Sequence, residues 1–170
     1  CSSSLLHKYL PSLVSKPLKT HKHKNNFSFV LNIYDTTILE TLIKLPIRLE
    51  TQSTLSGYFN EESEKFSIEA NFPKLFYKNR AIESGLLQAG NSSGKLDGHL
   101  RLTDRRTTGA VNLAVQLKAI SDSIQTTLNW GNNLAKTYSG QLNTTTHFSR
   151  KTMEEHGKEM LTTEIAIAPT

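Results

Sequence analysis

Cysteine is nearly missing from this chain of 170 residues. Cys1 is the only one, so no internal disulfide can form and the redox compartment is left open. We read Cys1 as the cut edge of a longer protein rather than as a lipidated terminus. Long apolar runs are missing as well. No stretch reaches the roughly 18 residues of a membrane-spanning helix, and no charged-then-apolar leader is visible. Apolar residues make up 36% of the chain and the mean hydropathy is −0.40, which argues against a thick core covered on both sides.

Motifs of catalysis are also lacking. The stretch "GNSSGK" (90–95) has one residue too few between its glycines for a phosphate loop, and Leu96 stands where a metal-binding hydroxyl would be needed. It reads as a hairpin turn. His21 and His23 alternate with Lys22 and Lys24 and have no carboxylate or cysteine beside them, a poor setting for a metal. His147 and His156 fall in "HFSRKTMEEHGKEM" (147–160), which reads as a charged loop, and are expected to be surface residues. No Gly-x-Ser-x-Gly elbow occurs, and neither Asp97 nor Glu83 has a partner whose spacing implies acid–base work. The expectation is a protein without catalytic residues, metal or cofactor.

The net charge of +5 is concentrated in "KPLKTHKHK" (16–24), with four lysines and no acid. No aromatic residue interleaves with them, so the run reads as a solvated surface and not as a nucleic-acid site. "RLTDRRTTG" (101–109) carries three arginines and falls where a hairpin loop is expected over 103–109. Asn26, Asn91 and Asn143 begin Asn-x-Ser/Thr sequons, which matter only in a glycosylating host.

What the sequence has in quantity is alternation. Residues 1–26 predict a short helix, with Leu5, Leu6, Tyr9, Leu10 and Leu13 on one face and Pro11 limiting it, followed by a basic connector. A second helix is predicted over 35–46, where Ile38, Leu39, Leu42 and Ile43 form a stripe ahead of Pro46. Elsewhere the period is two. Phe27, Phe29, Leu31 and Ile33 share a face, as do Phe66, Ile68, Ala70 and Phe72. The same holds for Leu96, Leu100 and Leu102, for Val111 to Ala119 at every second residue, for Ile124, Leu128 and Trp130, and for Ile165 and Ile167. Turn-forming stretches at 60–65, 90–94, 103–109 and 130–133 separate these segments. Residues 27–170 thus predict an antiparallel, all-β domain with one wet face.

"TLSGYFN" (54–60), "KLDGHLR" (95–101) and "TYSGQLN" (137–143) place Gly57, Gly98 and Gly140 at steps of 41 and 42 residues. Such a period suggests stacked units. Each glycine falls on the apolar parity of its strand, where a missing side chain permits a sharp bend or a close approach to the backbone. The strands offer many more large apolar residues on that face than the two helices can cover. Either the sheet folds over on itself, or its concave side holds an apolar ligand.

"LSGYFNEESEKFSIEANFPKL" (55–75) and "LNWGNN…YSGQL" (128–142) resemble the translocation and assembly module subunit TamB, in the form found in Bacteroidetes. The resemblance runs from about residue 5 to the end. That family is similar to the AsmA-like bridge proteins. It implies an internal fragment of a long periplasmic protein anchored to the inner membrane, with membrane contact through segments absent here. It also implies an elongated, twisted repeat sheet of U-shaped section, whose apolar groove passes phospholipid acyl chains between membranes in outer-membrane biogenesis. An outer-membrane barrel assembly partner is implied too, and no nucleic acid. The groove would be lined by Leu55, Phe59, Phe66, Ile68, Phe72, Leu96, Leu100, Val111, Leu113, Val115, Leu128, Trp130 and Leu142. Two other uses compete: a scaffold or chaperone that captures unfolded outer-membrane strands, and an inert β-domain of a lipoprotein.

Overall fold

The structure, a computed structural model, describes residues 2–14, 25–34, 47–49, 52–77, 80–91, 94–152 and 159–168. Helix α1 spans Ser2–Tyr9 and stops just before Pro11, which cannot continue it. Twelve strands follow among the described residues: β1 (Asn26–Ile33), β2 (Ile47–Leu49), β3 (Ser53–Asn60), β4 (Lys65–Phe72), β5 (Leu75–Tyr77), β6 (Arg80–Ile82), β7 (Ser84–Gly90), β8 (Leu96–Arg106), β9 (Gly109–Ile120), β10 (Ser123–Asn132), β11 (Ser139–Thr152) and β12 (Glu159–Ala168). The protein is all-β and mainly antiparallel. The helix predicted over 35–46, the basic run 16–24 and His156 lie outside the described residues.

Nine strands form one sheet in the order β1-β3-β4-β7-β8-β9-β10-β11-β12, which does not close into a barrel. Two excursions interrupt the meander. The one between β1 and β3 supplies β2, and the one between β4 and β7 supplies β5 and β6; together these three make a small second sheet. Pro73 follows β4, which is an interior strand, so it guards no edge.

The turns correct several expected boundaries. The loop placed at 103–109 shrinks to Thr107 and Thr108, because β8 runs on to Arg106 and β9 starts at Gly109. The turn placed at 130–133 moves to 133–138. Asn132 holds that loop: its amide oxygen accepts from Tyr138 N at 2.8 Å and its amide nitrogen donates to the Lys136 carbonyl at 3.1 Å. Asn133 then accepts from Ala110 N at 2.5 Å, tying the loop to the β8–β9 turn. His147 sits within β11 and not in a loop, exposed, with Ser123 Oγ 3.0 Å from its Nδ1.

Most of the buried residues lie at the two ends of the large sheet, although Ala70, in the central row, is also buried. Tyr9 and Leu10 form a cluster with Ala119, against which Phe59, Phe66, Leu96, Ile124 and Phe148 pack. Leu49 and Leu75 are buried in the small sheet, near the far end. There Gly85 leaves room for Leu75, whose Cδ2 lies 3.4 Å from where a Cβ would stand.

Candidate functional site

The register carries no slip from one edge of the sheet to the other, so parity is preserved across all nine strands. Residues directly opposite in an antiparallel pair share a face. One row crosses the sheet as Leu31, Leu55, Ala70, Leu87, Leu100, Val115, Leu128 and Leu142. The neighbouring row toward α1 is Phe29, Gly57, Ile68, Ala89, Gly98, Leu117, Thr126, Thr144 and Ile167. Its many small side chains make it a shallow lane. The opposite face presents Ser67, Glu69, Gln88, His99, Gln116, Gln125, Asn129 and Gln141 among others. Each residue that the resemblance assigned to the groove lies on the apolar face, from Leu55 on β3 to Leu142 on β11, with Phe72, Val111, Leu113 and Trp130 toward the far end.

That face is concave. Phe59 on β3 and Phe148 on β11 are six strand spacings apart, about 29 Å in a flat sheet. Both nevertheless pack on the same cluster of Tyr9, Leu10 and Ala119. The sheet therefore curls around α1. Polar ties from the helix to successive hairpins hold the curl. Lys8 Nζ meets Glu64 Oε2 at 2.5 Å in the β3–β4 turn, and Tyr9 Oη accepts from Asn91 Nδ2 at 3.0 Å after β7. Asp122, in the β9–β10 turn, accepts from Ser12 N at 2.6 Å and Ser12 Oγ at 2.9 Å. Arg150 of β11 donates to the Ser12 carbonyl at 2.6 Å. The hydrogen bond and charge of Glu64 hold the Lys8 ammonium above its ordinary pKa.

Asn91 was missed by the sequence reading as anything but a turn residue and a sequon. It is 4% exposed, and its side chain is fully engaged. Nδ2 donates to Tyr9 Oη and to the Glu64 carbonyl, while Oδ1 accepts from Phe66 N. In the folded protein this sequon is therefore closed to modification.

Among the described residues, substantial contacts between strands follow the hydrogen-bonded neighbours, apart from β6 against β8. No second sheet lies over the middle of the apolar face among the described residues. Leu55, Leu100, Val115, Leu128 and Leu142 are half-buried by their curled surroundings, and Trp130 is 38% exposed. Toward α1 the trough deepens into a cavity of about 260 Å3 lined by Leu6, Tyr9, Phe27, Phe29, Tyr58, Phe59, Phe66, Ile68 and Leu96. The lining is apolar and aromatic throughout.

The repeat glycines find their reason here, though not as equivalent units. Gly57 and Gly140 lie on strands that run opposite to the strand of Gly98, so the 41-residue period does not mark a repeated structural element. At Gly57 a Cβ would stand 2.9 Å from the Phe29 ring and 2.8 Å from the Ser67 carbonyl oxygen; at Gly140 it would stand 2.3 Å from Trp130 Cζ2. Each glycine lies opposite that aromatic residue in the register. The close approach comes from the neighbouring strand's ring, which lies over the bare backbone. Gly98 is looser, with Leu117 Cβ at 3.6 Å.

Among the described residues no group of three or more His, Cys, Asp or Glu is placed to hold a metal. No described helix is long and apolar enough to cross a membrane. The comparisons with known proteins add nothing to the geometry: no family model, no curated protein and no solved structure matches the chain.

Proposed function

We propose that the apolar trough carries phospholipid acyl chains, and that the chain is a non-enzymatic segment of a periplasmic bridge protein of the TamB kind, serving lipid transfer between inner and outer membranes. The observation behind this reading is the apolar row that crosses eight strands, from Leu31 on β1 to Leu142 on β11, with no described element over its middle. Hydrocarbon tails suit such a surface. Each methylene transferred to it contributes about 0.8 kcal/mol without demanding one pose, while a charged headgroup stays at the open lip. Membrane anchorage and contact with a barrel assembly partner belong to the same proposal.

Native mass spectrometry of the purified chain tests it, alongside Leu113→Asp on the apolar face and Gln116→Asp on the polar one. The expected result is co-purified lipid in the parent chain and in Gln116→Asp, with loss from a still folded Leu113→Asp. A lipid-free parent together with an unfolded Leu113→Asp would mark a dry core and an inert β-domain instead. The strand-capture reading is favoured by one observation, the open sheet edges, and predicts bound peptide in place of lipid.

A further inference from the structure

We propose that β1 is a self-pairing edge, through which two copies of the chain join as an antiparallel, two-fold dimer. β1 begins the large sheet, with β3 on one side and no described strand on the other. Its sequence, NFSFVLNI, contains neither a charged residue nor a proline, the usual protections of an edge. β12, at the opposite edge, carries Glu159 and Glu164. The exposure of β1 is two-sided: Phe27 and Leu31 on the apolar face, and Val30, 70% exposed, on the polar one.

A second copy is the occupant that the order of residues selects. Read outward from Val30, the strand is the same in both directions: Phe29 and Leu31, then the polar pair Ser28 and Asn32, then Phe27 and Ile33. Antiparallel pairing about a two-fold axis at Val30 sets Phe27 opposite the second copy's Ile33, Phe29 opposite its Leu31 and Ser28 opposite its Asn32. Apolar meets apolar on one face and polar meets polar on the other. A slip of one residue mixes the faces and is disfavoured for that reason. An isologous contact requires this self-complementarity, whereas capture of an unrelated strand does not. The axis stands perpendicular to the sheet, so both apolar faces look the same way and the trough continues across the junction. The inference does not rest on what the trough carries.

The test is cysteine cross-linking in a Cys1→Ser background. Directly opposed positions bring Cβ atoms within about 4.5–5.5 Å, so Val30→Cys is expected to form a disulfide-linked dimer on mild oxidation. Ala166→Cys, at the equivalent outer face of β12, is expected to stay unlinked. Sedimentation of the full chain supplies the second measurement: the parent is expected to dimerise, with Val30→Lys weakening association by about tenfold or more at unchanged circular dichroism. A parent that sediments as a monomer at high micromolar concentration overturns the proposal. So does a dimer that Ala166→Cys traps and Val30→Cys does not.

Discussion

The apolar face carries aliphatic side chains both under α1 and in its central row, yet the two regions behave differently. Under α1, Ala119 is 3% exposed and packs with Tyr9 and Leu10. Two rows away, Val115, Leu128 and Leu142 carry equally apolar side chains and remain half-buried. Alternation in a strand decides which side is apolar; a covering element decides whether its large side chains become core, while a small one such as Ala70 is buried by its neighbours in the curled sheet. Among the described residues the covering elements sit at the ends, and none lies over the middle.

The largest effect follows directly from that contrast. Leu10→Ala removes a buried side chain from the α1 cluster and is expected to lower stability by about 2–5 kcal/mol. Leu128→Ala, in the open row, is expected to cost about 1 kcal/mol, because less of its area leaves water on folding. Urea unfolding of both variants measures the gap. Equal losses would mean that the central row is packed as tightly as the end.

A second test stays within the open region and uses its glycines. Gly140→Ala forces Trp130 off the backbone it covers and is expected to destabilise by about 1–3 kcal/mol. Gly98→Ala meets only Leu117 at ordinary contact distance and is expected to be close to neutral. Trp130→Leu should rescue Gly140→Ala in part, since the clash is with the indole; failure of rescue in a double-mutant cycle would place the strain in the backbone.

A third compares polar with apolar anchoring at the α1 end. Asn91→Ala strips partners from Tyr9 Oη, the Glu64 carbonyl and Phe66 N at once. Buried groups left unmatched cost about 1–3 kcal/mol, and the expected loss falls in that range. Unchanged thermal unfolding would mean that water replaces the side chain.

Strand parity was legible in the sequence because no bulge interrupts it, so positions from Phe27 to Ile167 fell on the correct side by counting alone. What escaped did so for physical reasons. β7 breaks the pattern with adjacent Leu86 and Leu87, one on each face. β11 was read too short because its inner positions after Leu142 are Thr144 and Thr146, which carry no apolar signal. β2, β5 and β6 have three residues each, below the length at which a period shows. A curled sheet was expected from the inner-face glycines and the resemblance, but the ties that hold the curl were out of reach. They depend on Ser12 meeting Asp122 and Arg150, 110 and 138 residues away.

The weakest of those ties gives the smallest expected effect and a check on its sign. Lys8 is exposed and its bond to Glu64 is screened by solvent, so its contribution is slight. Its pKa is raised above the ordinary 10.5 in the folded state, first by the hydrogen bond to Glu64 and then by that carboxylate's charge. A raised value means that the folded protein holds the proton more tightly than the unfolded chain does. The contribution is therefore complete below pH 10.5 and fades as pH climbs through the folded value. Lys8→Met should unfold at slightly lower urea than the parent at neutral pH, and the two midpoints should converge in strong alkali. A gap that instead stayed constant with pH would show that Lys8 acts through its aliphatic stem, whose packing does not titrate, making this end of the sheet more like the apolar core beneath it than its polar ties suggest.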